Sequence, residues 1–166
     1  MRSFFAAPVA VLLGALAWMV AMGAFGVLMT ELGPWYYALR KPSWQPPDFL
    51  FGPVWSTIFL LSAVAFVLGW ISPVAGIRDR WLLVAVYVVN GVLNNYWSFL
   101  FFRRRRPDFA LVEVGALWLS ILAMILILRP LSTVAALLVT PYLCWVTFAT
   151  VLNRAIVQLN GPFGSR

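Results

Sequence analysis

Phe109-Ala110-Leu111-Val112-Glu113-Val114-Gly115-Ala116-Leu117-Trp118-Leu119-Ser120-Ile121-Leu122-Ala123-Met124-Ile125-Leu126-Ile127-Leu128 is a twenty-residue run with a single charged side chain. About 20 apolar residues is the length that carries a helix across a bilayer, so this stretch decides the fold class. Four more runs of similar length surround it: Thr133 to Val157, Trp81 to Phe102, Phe51 to Ser72 and Phe4 to Met29. The composition agrees, with 63% hydrophobic, 16% aromatic and 10% charged residues in 166 against about 25% charged in ordinary soluble domains. The expected architecture is an all-α integral membrane protein, a single domain over 1–166 built as a bundle of five transmembrane helices. The first run exceeds the roughly 7 to 15 apolar residues of a cleavable signal peptide and is read as a retained helix.

Three connections are short: Pro73 to Arg80, Arg103 to Asp108 and Arg129 to Ser132. Short connections make consecutive helices antiparallel neighbours. The first connection, Thr30 to Leu50, is different, because it carries Trp35, Tyr36, Tyr37, Trp44 and three prolines, Pro42, Pro46 and Pro47. Proline fixes φ and biases the preceding residue toward extended geometry, so this segment is a shaped loop rather than a helix. Its aromatic rings suit a structured lid at the membrane surface. No internal repeat is visible, which argues against an inverted-repeat transporter. Small residues at Ala10 and Gly14, Gly23 and Gly26, and Ala116 and Ser120 are candidates for close helix approach.

The net charge of +7 does not point to nucleic acid, since the basic residues cluster at the ends of apolar runs. Eight of the twelve (Arg40, Lys41, Arg103 to Arg106, Arg154 and Arg166) fall on one side of a five-helix arrangement, against Arg2, Arg78, Arg80 and Arg129 on the other. The positive-inside rule then places the C-terminus and the long loop in the cytoplasm. The arginine run is read as a topology signal that touches anionic headgroups.

Within the third run, Tyr87, Asn90, Asn94 and Trp97 recur at steps of three, four and three, which puts them on one helical face. Buried amides must be hydrogen-bonded. Asn90 and Asn94 are therefore either interhelical glue or ligand contacts on a polar, aromatic wall. Trp145, Ala149 and Asn153 repeat the pattern in the fifth run, and Trp55, Phe59 and Ser62 share a face in the second. Pro141 lies inside the fifth run, where it kinks the helix or opens space beside Tyr142 and Trp145. Glu113 is expected to snorkel or to pair with one of Arg103 to Arg106. With no histidine and one cysteine, Cys144, neither a His-based metal site nor a thiolate cluster can form. No phosphate-cradling glycine loop is present. The chain reads as one that binds, with no required cofactor and no metal.

Trp35-Tyr36, Lys41-Pro42-Ser43-Trp44-Gln45-Pro46-Pro47, Gly52-Pro53-Val54-Trp55, Asn94 with Trp97, Phe101-Phe102, Ala110-Leu111-Val112-Glu113, Pro141-Tyr142-Leu143-Cys144-Trp145 and Ala149-Thr150-Val151-Leu152-Asn153 occur in one order along the chain. This set resembles the TspO/MBR family of tryptophan-rich sensory proteins, translocator proteins and peripheral-type benzodiazepine receptors. The resemblance implies a five-helix homodimer embedded in membrane lipid, with a cavity for porphyrins of the protoporphyrin IX type and for benzodiazepine-site ligands. By motif position Trp55, Asn94, Trp97, Trp145 and Ala149 would line that cavity, with Tyr36 and Pro47 at its roof and Trp35, Pro42, Trp44 and Pro46 in the lid; Tyr87 and Asn90 join them from the polar face. The implied roles are tetrapyrrole regulation, transport or stress sensing. The alternative is an enzyme that degrades porphyrin in the light, with Trp55 and Trp145 as redox-active groups. Animal members carry a cholesterol motif after the Ala149 to Asn153 stretch; here Arg154-Ala155-Ile156-Val157-Gln158 lacks its tyrosine and terminal base. Cholesterol recognition is therefore not expected, and a bacterial-type member in a bacterial membrane is.

Overall fold

In hydrocarbon every backbone N–H and C=O must be satisfied within the segment, so each apolar run has to become a helix. The computed structural model describes residues 2–164, with side chains from residue 9 onward. Along the chain run α1 (Arg2–Met29), a short α2 (Pro34–Ala38), a 3-10 turn (Asp48–Leu50), α3 (Phe51–Trp70), α4 (Ile77–Ser98), a π-helical turn (Phe99–Arg103), α5 (Pro107–Leu128) and α6 (Thr133–Asn160). Five of these helices are long and apolar enough to cross a membrane. The chain is a multi-pass integral membrane protein.

The helix ends differ from the sequence expectation for local reasons. α4 begins at Ile77 rather than Trp81, because Asp79 Oδ2 accepts from Gly76 N (2.9 Å) and satisfies a first-turn donor. α5 begins at Pro107, where proline is preset for the first helical turn. α6 extends to Asn160, with Ser132 Oγ accepting from Ala135 N (3.2 Å) at its start. α3 stops two residues earlier than expected, at Trp70. α4 does not stop cleanly at Phe102. Its last turn widens, with Arg104 N donating to Phe99 O and Arg106 N to Leu100 O (2.9 Å each). Arg105 then takes a left-handed φ of 53°, which reverses the chain into α5.

α6 packs between α3 and α5, α4 lies on α5, and α1 lies across α3 and α4. Consecutive α3 and α4 touch only sparingly, so short connections did not make every consecutive pair close partners. The connections at that end are joined instead by Ser72 Oγ, which donates to Leu131 O (2.7 Å). Lipid tails are as apolar as leucine, so burial alone does not drive these helices together and fit matters more. Leu83, Ile121, Met124, Leu128 and Val139 are fully buried at the packing centre. The close approaches fall at Gly69, where a Cβ would lie 2.6 Å from Leu128 Cδ2, and at Gly91, where it would lie 3.1 Å from Met22 Sδ. Gly14, Gly23 and Gly26, expected to serve this purpose, face open space. A second apolar cluster, of Tyr36, Leu100, Phe101, Ala110, Leu152 and Ile156, forms at the end of the bundle beneath the long loop.

Candidate functional site

The long loop is ordered by one tyrosine. Pro34 starts α2, and the helix turns Tyr36 inward, where it is 6% exposed. Its hydroxyl donates to Asp48 Oδ1 (2.7 Å), which also accepts from Gln45 Nε2 (3.2 Å). Lys41 Nζ sits 3.5 Å from the Tyr36 ring centroid and 3.8 Å from Asp48 Oδ2. Burial, reinforced by the hydrogen bond to Asp48, pushes the Tyr36 phenol well above its ordinary pKa. The proline-bounded turn closes with Gln45 N donating to Pro42 O (3.0 Å), and Leu50 N donates to Pro47 O (3.0 Å).

Two fastenings hold this loop on the bundle. Arg40 N donates to Asn160 Oδ1 while Asn160 Nδ2 donates to Arg40 O, both at 2.8 Å, which ties the loop to the end of α6. Arg103 donates to Leu28 O, a carbonyl left without a helical partner at the end of α1, and pairs with Glu31 at 3.5 Å. Aromatic contacts complete the seam: Trp35 edge-on to Phe101 (6.1 Å), Tyr36 tilted on Phe102 (5.7 Å) and Trp44 edge-on to Phe148 (5.8 Å). Pro42 and Pro46 are half-buried in the loop, whereas Pro47 and Trp44 are exposed.

Below the loop lies an aromatic interior. Phe51 meets Trp145 (5.7 Å), Trp145 meets Phe148 (5.4 Å), Trp97 stacks on Phe101 (5.2 Å), and Trp55 stacks on Phe59 (5.4 Å) with its edge on Tyr142 (5.9 Å). Next to it runs a buried chain of hydrogen bonds. Asn94 Nδ2 donates to Tyr142 Oη (2.9 Å), Tyr142 Oη to Asn90 Oδ1 (3.3 Å), Asn90 Nδ2 to Ser120 Oγ (2.9 Å), and Ser120 Oγ to Leu117 O (2.7 Å). The chain links α4, α6 and α5 side by side. Asn153, with its amide turned so that Nδ2 donates to Pro107 O and Oδ1 accepts from Leu111 N (3.1 Å each), fixes α6 on the first turn of α5.

A cleft of about 490 Å³ opens between α3 and α6, bordered by Pro53, Thr57, Pro141, Cys144, Trp145 and Phe148 among others. Pro141 thus stays within a continuous α6 and faces this cleft. Trp145 belongs both to the cleft wall and to the aromatic interior, and its Nε1–H is buried without an acceptor among the described residues. The Nε1–H of Trp97 is likewise buried and unpaired among them.

The structure therefore gathers Trp55, Asn94 and Trp145 with Tyr142 and Phe51, and sets Trp97 on Phe101 under the loop. Ala149 follows one turn after Trp145, half-buried. Tyr87 stands apart: its hydroxyl donates to Ser62 O (2.8 Å), and its ring meets Trp18 and Phe66 on the far side of the bundle. Glu113 does not pair with the arginine run. Both its carboxylate oxygens are buried without a partner among the described residues, while Arg103 goes to Glu31 and Arg106 to Asp108. Tyr142, Phe51 and Phe101 were not among the expected site residues; Tyr142 carries the one sequence signal that could have found it, three residues before Trp145 on the same face.

The order of these motifs has counterparts in known proteins. The TspO/MBR family pattern matches residues 10–159. The tryptophan-rich protein TspO of Chlorobaculum tepidum is 41% identical over 147 residues, which span 85% of this chain and 90% of that one. The tryptophan-rich sensory protein of Cereibacter sphaeroides is 33% identical, spanning 87% and 90%. The human translocator protein is 32% identical, spanning 76% and 75%. With the family pattern running through all five spanning helices and the long loop, the chain belongs to the TspO/MBR family.

Proposed function

We propose that this protein binds a flat, largely apolar tetrapyrrole of the protoporphyrin IX type between α3, α4 and α6, and acts through that binding as a membrane sensor or translocator. The names of its relatives, sensory protein and translocator protein, support the coarser role. Trp145 carries the finer reading. It faces both the cleft between α3 and α6 and the aromatic interior, and its N–H has no acceptor among the described residues. A buried unpaired donor is uncommon enough to need a reason. A planar ligand with carboxylate edges supplies both missing elements, a stacking partner and an acceptor. Asn94 bonds to Tyr142, whose ring meets Trp55.

Titrating the purified protein with protoporphyrin IX should quench tryptophan fluorescence saturably. Trp145→Phe together with Asn94→Ala should weaken binding at least tenfold. Unchanged affinity in the double variant refutes the site. The benzodiazepine-site ligands belong to the same cavity and should compete with the porphyrin. The protein is proposed to act as a homodimer with the long loop in the cytoplasm, as the eight-to-four charge distribution supports. Cysteine labelling from either side of sealed vesicles, at a residue placed in the loop, tests the orientation.

A further inference from the structure

A second groove, of about 560 Å³, lies in the half of the bundle away from the loop, between α1, α3 and α4. Its walls include Gly14, Trp18, Phe66, Trp70 and Tyr87, and Arg80 stands at one end. The wall is preset, because its polar atoms are already used. Trp18 Nε1 donates to Tyr87 O (3.3 Å) and Tyr87 Oη to Ser62 O (2.8 Å). On α4 the lining runs from Arg80, in the first turn, to Val88, about 12 Å along the axis at 1.5 Å per residue. The groove thus begins near the headgroup level and descends into hydrocarbon.

Its charge has no acidic partner among the described residues. The guanidinium of Arg80 sits 5.7 Å over the Trp70 ring, and its Nε–H is buried without an acceptor among them. The three ion pairs among the described residues involve other cations. Asp79, the adjacent acid, is engaged by Gly76 N, and Arg78 beside it is exposed and adds positive charge. From residue 9 onward, α1 and α3 bring no acid to the groove. An apolar trough that opens toward lipid and ends on an unpaired guanidinium matches a molecule with an anionic head and an acyl tail.

We propose that this groove is a binding site for an anionic phospholipid of the leaflet opposite the loop, its phosphate on Arg80 and one acyl chain against Trp18 and Phe66. The site is independent of the porphyrin reading and shares none of its tested residues. Native mass spectrometry of protein released from micelles holding equal phosphatidylglycerol and phosphatidylcholine tests it. Wild-type protein should retain phosphatidylglycerol preferentially. Arg80→Gln should cut that preference about tenfold. Gly14→Leu should lower phosphatidylglycerol retention by a similar factor, since a Cβ at Gly14 meets nothing within 4 Å and the added chain enters the groove. Arg78→Gln, which removes an exposed charge outside the groove, should lower retention far less than Arg80→Gln. The variants should keep the wild-type melting temperature, and a variant that does not is replaced by Arg80→Lys, which should retain the lipid. Equal retention of the two lipids by wild type overturns the proposal, as does an Arg78→Gln effect equal to that of Arg80→Gln. So does a Gly14→Leu variant that loses a dimer while its lipid retention stays the same, which would assign the groove to a second copy.

Discussion

Replacing Tyr142 by phenylalanine deletes one oxygen from the centre of the bundle and keeps the ring. That oxygen accepts from Asn94 at 2.9 Å and donates to Asn90 at 3.3 Å, and Tyr142 is 1% exposed. The deletion therefore leaves a buried amide N–H and a buried amide oxygen unpaired. In water-soluble proteins each such orphan costs about 1–3 kcal/mol. Inside membrane proteins the measured couplings average about 0.6 and reach about 1.7 kcal/mol, because the unfolded chain in lipid also finds partners. Two bonds at the average give a loss of about 1.2 kcal/mol, and the upper value roughly 3. The longer Asn90 bond should contribute the smaller share, since hydrogen bonds weaken as they stretch. Reversible unfolding in mixed micelles of increasing dodecyl sulfate measures the loss. A double-mutant cycle with Asn94→Ala isolates the shorter bond, with an expected coupling between about 0.6 and 1.7 kcal/mol. A Tyr142→Phe protein as stable as wild type, or a coupling indistinguishable from zero, refutes the reading of this chain as structural glue between α4, α6 and α5.

The loop offers a pH test. The neutral phenol of Tyr36 is favoured in the folded state, so its stabilisation is complete below the unfolded tyrosine pKa of 10.0 and declines as pH rises past it. Protease cleavage within the loop should accelerate above that pH, and part of the acceleration should vanish in Tyr36→Phe. Asn160→Ala removes both hydrogen bonds to Arg40 and should raise loop cleavage several-fold at neutral pH, with little change in bundle unfolding; they are exposed bonds, each worth about 0.5–1.5 kcal/mol. Gly69→Val should destabilise the bundle by about 1–3 kcal/mol in the same unfolding assay, because Leu128, which is wholly buried, has to give way to the new side chain.

The spanning helices were legible because their signal is composition over length, which needs no partner. Boundaries were less so. Arg78, Asp79 and Arg80 looked like a connection, yet Asp79 caps the first turn of α4, a role set by one hydrogen bond rather than by hydropathy. The common face of Asn90 and Asn94 followed from helical period. What they bond did not, since Tyr142 and Ser120 reach them only through the packing of α6 and α5. The glycines show the same limit. Gly14 and Gly26, each following a small residue by four or three positions, face open space, whereas Gly91, without such a neighbour, sits where helices meet, and so does Gly69, whose spacing from Ala65 was not singled out. Trp18 stands alone in an apolar helix, so nothing in α1 marked it as the wall of a groove. The arginine run read as one charged patch, but Arg103 caps α1, Arg105 turns the chain and Arg106 holds Asp108.

The pairing of Arg40 with Asn160 joins residues 120 positions apart. One belongs to the first loop made during synthesis, the other to the last turn of the last helix. Chains are made from the N-terminus at roughly 5–20 residues per second, so the loop lacks this fastening for several seconds after it emerges, until α6 is complete and in place. A chain arrested before α6 is inserted keeps the Arg103 fastening but lacks the Asn160 one, and its loop should be cut by proteases faster than that of the complete protein.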